Sequence, residues 1–154
     1  MNTDSLKQFL LDSNSAGYAG GDSKQWIKNK DGSTTIPYEK GTWKSDDTFY
    51  GGEPYGGRII VFYEDKPYWM MVYYGWVEEG VDHDMVYNVL QNALKQMPPE
   101  HPFRGPEKYN EEKYIYTNAW KGDVAKYSGE ELIAVEGNTI YTANYMGGLV
   151  DQRK

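Results

Sequence analysis

Apolar residues recur at helical spacing in two stretches of the chain, and elsewhere they alternate or run together in the manner of strands. Leu6, Phe9 and Leu10 follow Thr3 and Asp4, either of which can cap, and predict a first helix over 6–17 that stops near Gly17. "GYAGGDS" then reads as a turn-rich exit. Val86, Val89, Leu90, Ala93, Leu94 and Met97 predict a second amphipathic helix over 84–97, capped by Asp82 or Asp84 and ended by Pro98-Pro99. In "WIKNKDGSTTIPY" the Asp31-Gly32 pair sits between strand-like runs as a hairpin turn, and Pro37, which lacks an N–H, marks an edge strand. Strands are predicted over 42–50, 58–63, 67–76, 113–120, 123–127, 130–135 and 139–146, with "PPEHPFRGPEKYNEE" as the long loop before the later set. "YWMMVYYGW" is apolar in both directions, so a central strand covered on both faces is expected.

The two halves of this pattern match. "WKSDDTFYGGE" from Trp43 returns as "WKGDVAKYSGE" from Trp120, identical at six of eleven positions. That alignment sets Tyr50 over Tyr127, Gly52 over Gly129 and Glu53 over Glu130. Further on, Tyr73 falls over Tyr145 and Gly75 over Gly147. The expected fold is α+β: a single domain of two helix-plus-antiparallel-meander halves, 1–80 and 81–154, internally duplicated and packed about a pseudo-two-fold axis.

Composition narrows the classes of function. A chain of 154 residues can bury a real core. An aromatic fraction of 16%, with 15 tyrosines, argues against disorder and suits half-wet strands or pocket walls. The net charge of −7 and the lack of a basic cluster argue against nucleic acid and anionic membrane as partners. Zero cysteines exclude disulfides, thiolate metal sites and cysteine nucleophiles. With neither a signal-peptide pattern nor a membrane-length apolar run, a cytoplasmic location is expected.

"FYGGEPYGGRIIVFYEDKPYWMMVYYG", "PFRGPEKY" and "WKGDVAKYSGEELIAVEGNTIYTANYMGGLV" resemble, in order, a bacterial domain family of unknown function. Its members occur alone or fused behind a helix-turn-helix domain like that of phage repressors. The resemblance implies the duplicated α+β layout and, by the company of the fused members, a sensing role. It implies no catalytic residues. Here the first helix runs into "GYAGGDS" instead of a tight turn and a recognition helix.

Candidate chemistry centres on few groups. Trp43 and Trp120 read as sheet anchors, Asp46 and Asp123 as turn residues. Glu53 and Glu130, if related by a two-fold axis, either face each other, raising one pKa for acid–base work, or lie apart on the rims. His83, in "DHD" at a helix start, and the solitary His101 lack metal-ligand spacing. Arg104, held in "PFRGP", aims its guanidinium either at a ligand or at a protein carboxylate such as Glu130. No cofactor or metal motif is present, and the glycines of "YGGEPYGG" do not open a helix. The candidate ligand-binding residues are therefore Tyr50, Glu53, Tyr74, Arg104, Tyr127, Glu130 and Tyr145. The expected function is a non-enzymatic small-molecule-binding or sensory module. A protein-interaction module, for instance a homodimer, is the alternative, and an acid–base enzyme using Glu53 and Glu130 ranks last.

Overall fold

The computed structural model describes residues 3–19 and 26–153. Helix α1 (Thr3–Asn14) continues as a π-helical turn, Ser15–Ala19, and the rest of the exit expected there, 20–25, lies outside the described residues. The strands are β1 (Ile27–Lys28), β2 (Thr34–Lys40), β3 (Trp43–Tyr50), β4 (Tyr55–Tyr63) and β5 (Lys66–Val77). Helix α2 (His83–Leu94) follows, then β6 (Lys108–Glu111), β7 (Tyr114–Asp123), β8 (Lys126–Val135) and β9 (Asn138–Leu149). The fold is mixed α+β: one nine-stranded antiparallel sheet, ordered β1-β2-β3-β4-β5-β9-β8-β7-β6, with two helices.

Both helices lie on the same face. Leu6, Phe9 and Leu10 of α1 pack on Val61, Trp69, Met71 and Tyr73. Val86, Val89, Leu90, Ala93 and Leu94 of α2 pack on Tyr114, Tyr116, Ile133 and Tyr141. Each such side chain contributes about 1.5–3 kcal/mol on leaving water. Asp82 is the cap of α2, accepting from the N–H of Asp84 (3.1 Å) and Met85 (3.4 Å). The helix ends at Leu94, three residues short of Met97, and Pro98 disfavours helical conformation at Met97 itself.

At the centre β5 runs antiparallel to β9, with Tyr73 opposite Tyr145, Met71 opposite Gly147 and Gly75 opposite Ala143. Bulges interrupt β4–β5 at Val61/Phe62 and β8–β9 at Ile133/Ala134. The turns beyond them are left-handed at Glu64-Asp65 and Glu136-Gly137. Among the described residues Pro37 pairs only with Asp46 of β3, and β1 reaches no further than Thr35.

Three expectations need correction. The outer face of β5 is bare: Val72 is 41% exposed, Tyr74 53%, and Met146 of β9 58%. Its apolar character does not signal a second covering layer, since both helices occupy the opposite side. The segment 123–127 is not a strand; Asp123 ends β7 and holds the turn by accepting from the Ala125 N–H at 2.9 Å, while β6 forms inside the presumed loop. The two halves of the echoed phrase occupy different elements. Trp43–Tyr50 is strand β3, whereas Trp120–Glu130 is the β7–β8 hairpin. By register Gly57, not Gly52, stands to Tyr73 as Gly129 stands to Tyr145. Asp46 lies within β3 opposite Pro37, so it is no turn residue.

Gly147 is glycine because the β5 backbone leaves no room. A Cβ there would lie 1.9 Å from the Met70 carbonyl oxygen and 2.6 Å from the Tyr127 hydroxyl. Gly147→Ala is expected to cost about 1–3 kcal/mol, the range for overpacking. Gly52→Ala, where nothing lies within 4 Å, is expected to stay within about 0.5 kcal/mol. Urea unfolding of the two variants checks the contrast.

Candidate functional site

Alternation along the strands sends one set of polar side chains to the helix-covered face. They are Asp47 of β3, Tyr55 of β4, Tyr73 of β5, Tyr116 and Asn118 of β7, Glu131 of β8, and Tyr141 and Tyr145 of β9. The tyrosines opposed at the sheet centre each donate across one strand to the next: Tyr73 over β4 to Asp47 of β3, and Tyr145 over β8 to Asn118 Oδ1 of β7 at 2.7 Å.

Over this floor lies the segment after α2. Arg104, 5% exposed, donates from Nε to Glu131 Oε1 at 2.7 Å, and Glu131 is fully buried. Tyr116 donates to the other Glu131 oxygen and accepts from the Gly105 N–H at 3.1 Å. The Gly105 carbonyl accepts from Asn118 Nδ2 at 2.9 Å. A second guanidinium nitrogen donates to the Tyr55 hydroxyl at 3.4 Å, which is hydrogen-bonded to that of Tyr141. The guanidinium carbon stands 5.6 Å from the Tyr73 ring centroid. Burial holds the hydroxyl protons of Tyr116, Tyr141 and Tyr145 well above the ordinary phenol range, so these groups stay neutral and donate.

Asp47 has a different standing. Burial pushes its carboxyl up to about 6, against the opposing influence of the Tyr73 hydrogen bond and the Arg104 charge. Among the described residues it forms no ion pair within 4 Å. Beside it opens a cavity of about 560 Å³, within the usual range of ligand pockets. Its polar lining is Ser13, Asn14, Glu39, Asp47 and Arg104, of which Asp47 and Arg104 are the buried charged groups; Leu10, Ile59, Met71, Leu94 and Phe103 are among its apolar lining. A smaller hollow of about 160 Å³, lined by Tyr55, Tyr73, Tyr87 and Gln91, shares Trp26, Ile36, Leu94 and Arg104 with it.

The sequence-derived candidates separate. Arg104 and Tyr145 join the buried network. Tyr127 is buried but packs as a spacer, stacked on Phe103 at 4.3 Å and Trp69 at 5.6 Å, with its hydroxyl donating to the Met70 carbonyl at 3.1 Å. Tyr50 is half-exposed and donates to Asp31 at 2.6 Å. Glu53 accepts from the Val77 N–H at 2.7 Å and from Tyr87 Oη. Tyr74 and Glu130 lie on the bare face. Glu53 and Glu130 thus border separate grooves and share no partner. The carboxylate that Arg104 finds is Glu131, one residue along, and in a strand one residue is the difference between faces.

Asp47, Asn118 and Glu131 were the groups to find. A signal existed for Asp47: if Trp43 anchors inward, Ser45, Asp47 and Phe49 follow it by alternation. For Glu131 there was little, because "ELIAV" is apolar on both sides of the pleat.

Two helices on one face of an antiparallel sheet, with a polar-floored cavity between, define an α+β domain whose chemistry is concentrated beneath the helices. Residues 47–150 match a family described as a domain of unknown function (DUF5680), and the chain belongs to that family. No curated protein and no solved structure matches it. Among the described residues no helix is long and apolar enough to cross a membrane.

Proposed function

We propose that this domain is a non-enzymatic small-molecule-binding module of the cytoplasm, with a sensory role, and that its ligand occupies the cavity bounded by α1, β2, β3 and the segment after α2. The observation that carries the reading is the cavity itself, with its apolar lining and the buried Asp47 and Arg104 among its polar groups. The absence of catalysis is supported by how the titratable groups are engaged: Glu131 by Arg104 and Tyr116, Asp47 by Tyr73.

Internal duplication belongs to the same reading. The strand order is the same read from either end apart from β1, and a separation of 72 residues links Val61 to Ile133 at the bulges, Glu64 to Glu136 in the turns, and Tyr73 to Tyr145. On this view Asp47–Tyr73 and Asn118–Tyr145 are counterparts. The second is covered by Gly105, which bonds Asn118, while Asp47 borders open space. One of two related hollows is plugged, leaving a single site.

A survey of small amphipathic molecules by thermal shift tests the binding reading. A ligand at a hundredfold excess over its Kd adds about 2.7 kcal/mol to stability. Ile36→Trp, which places an indole into space shared by both hollows, is expected to remove that stabilisation while keeping the far-UV circular dichroism. A wild-type protein that no compound stabilises, or stabilisation that persists in Ile36→Trp, counts against the site.

The bare sheet face favours a second reading, self-association through the patch that contains Val72, Tyr74 and Met146. Sedimentation at high concentration decides it: a homodimer dispersed by Tyr74→Glu is expected, and a strictly monomeric wild type rejects it.

A further inference from the structure

We infer that the cavity takes an organic cation, an amine or quaternary ammonium whose charged head sits at Asp47 and whose apolar body fills the space beneath α1; this rests on the reading of the cavity as a ligand site. The first argument is charge. The polar floor holds two carboxylates, Asp47 and Glu131, against one guanidinium, and that guanidinium is bound to Glu131 at 2.7 Å. Glu39, exposed, also lines the cavity, and no lysine does among the described residues. Lys40, next along β2, is taken up by Asp12 at 2.7 Å. The excess at this site is negative.

The second argument concerns the alternatives. An anionic ligand would bring a further negative charge to a site where one guanidinium, already bound through Nε to the fully buried Glu131, stands against the Asp47 and Glu131 carboxylates. A neutral ligand would leave Asp47 with only the influence of Arg104, which is itself bound to Glu131. A cation meets the Asp47 charge, and the cavity's remaining lining suits the same guest: Trp26, Tyr38, Trp69 and Phe103 supply aromatic rings, which attract desolvated cations over their faces. The Tyr73 hydroxyl, donating to Asp47 Oδ1, fixes the carboxylate from the sheet side.

Three probes with one apolar body test this: 4-phenylbutylamine, 4-phenylbutanol and 4-phenylbutyrate, titrated calorimetrically near neutral pH into the wild type and Asp47→Asn. The wild type is expected to bind the amine at least about tenfold more tightly than either other probe, as a charge-assisted contact provides. In Asp47→Asn the ratio of amine to alcohol affinity is expected to fall to near one. Equal binding of all three, or a preference for the alcohol or the butyrate, overturns the cation while leaving the cavity a ligand site. An amine preference that persists in Asp47→Asn overturns it too, since the head must then sit elsewhere. Failure of all three to bind overturns both readings.

Discussion

Replacing Arg104 with methionine is expected to lower the unfolding free energy by about 3–5 kcal/mol, the range for removing one partner of a buried ion pair. Glu131 has no exposure and accepts from Arg104 Nε and the Tyr116 hydroxyl. Methionine keeps much of the volume and removes the charge, so Glu131 is left in its buried setting without its cation. The loss is large against a typical total of about 5–15 kcal/mol. Adding Glu131→Gln is expected to recover most of it, because a neutral amide at that position has far less to lose from burial. A urea-unfolding double-mutant cycle measures both quantities. A single variant that costs less than about 1 kcal/mol would show that the pair does not organise the floor.

Asp47→Asn is expected to be more stable than the wild type at neutral pH, by up to about 3 kcal/mol. The Asp47 carboxyl titrates at about 6 in the folded protein against 3.8 as its ordinary value, because burial disfavours its charged form. The folded state therefore holds this proton more tightly than the unfolded chain does. Stability is greatest below about pH 4, falls as pH rises through about 6, and is level above, as far as this group is concerned. The groups facing it are Tyr73 from β5 and Arg104 from the segment after α2, with Glu39 of β2 lining the same cavity. Asparagine retains an acceptor for Tyr73 and removes the titration. The difference between variant and wild type should open between about pH 4 and pH 6, as unfolding across that range would show. A cavity that gains stability when a buried carboxylate is removed would have been shaped by something other than stability.

The helices were legible because a stripe at i, i+3, i+4 has few other interpretations, and Leu6, Phe9, Leu10 and the α2 series lie where expected. The central strand was legible too, as β5 over Lys66–Val77, although the alignment that set Tyr73 over Tyr145 gave no sign that the two pair across β5 and β9. Its environment was not, since Val72 and Tyr74 carry no mark that tells an exposed apolar face from a covered one. The echo from Trp43 and Trp120 misled because residue identity was weighed without pairing; hydrogen-bond register alone shows the phrases in a strand and a hairpin. Of the site, Arg104 stood out through its rigid setting, while Asp47 was passed over for its neighbour Asp46, which points to the other side of the sheet.

The sheet ends at both sides in stubs, β1 of two residues and β6 of four. Beyond its described pairing with β1, β2 carries Pro37 and then Glu39 and Lys40, a residue without a donor followed by two charges. Another strand arriving there finds a broken ladder and an ionic fringe, the features that discourage edge-to-edge growth. In a chain with 15 tyrosines, borders of this kind work against one molecule's sheet serving as the template for the next.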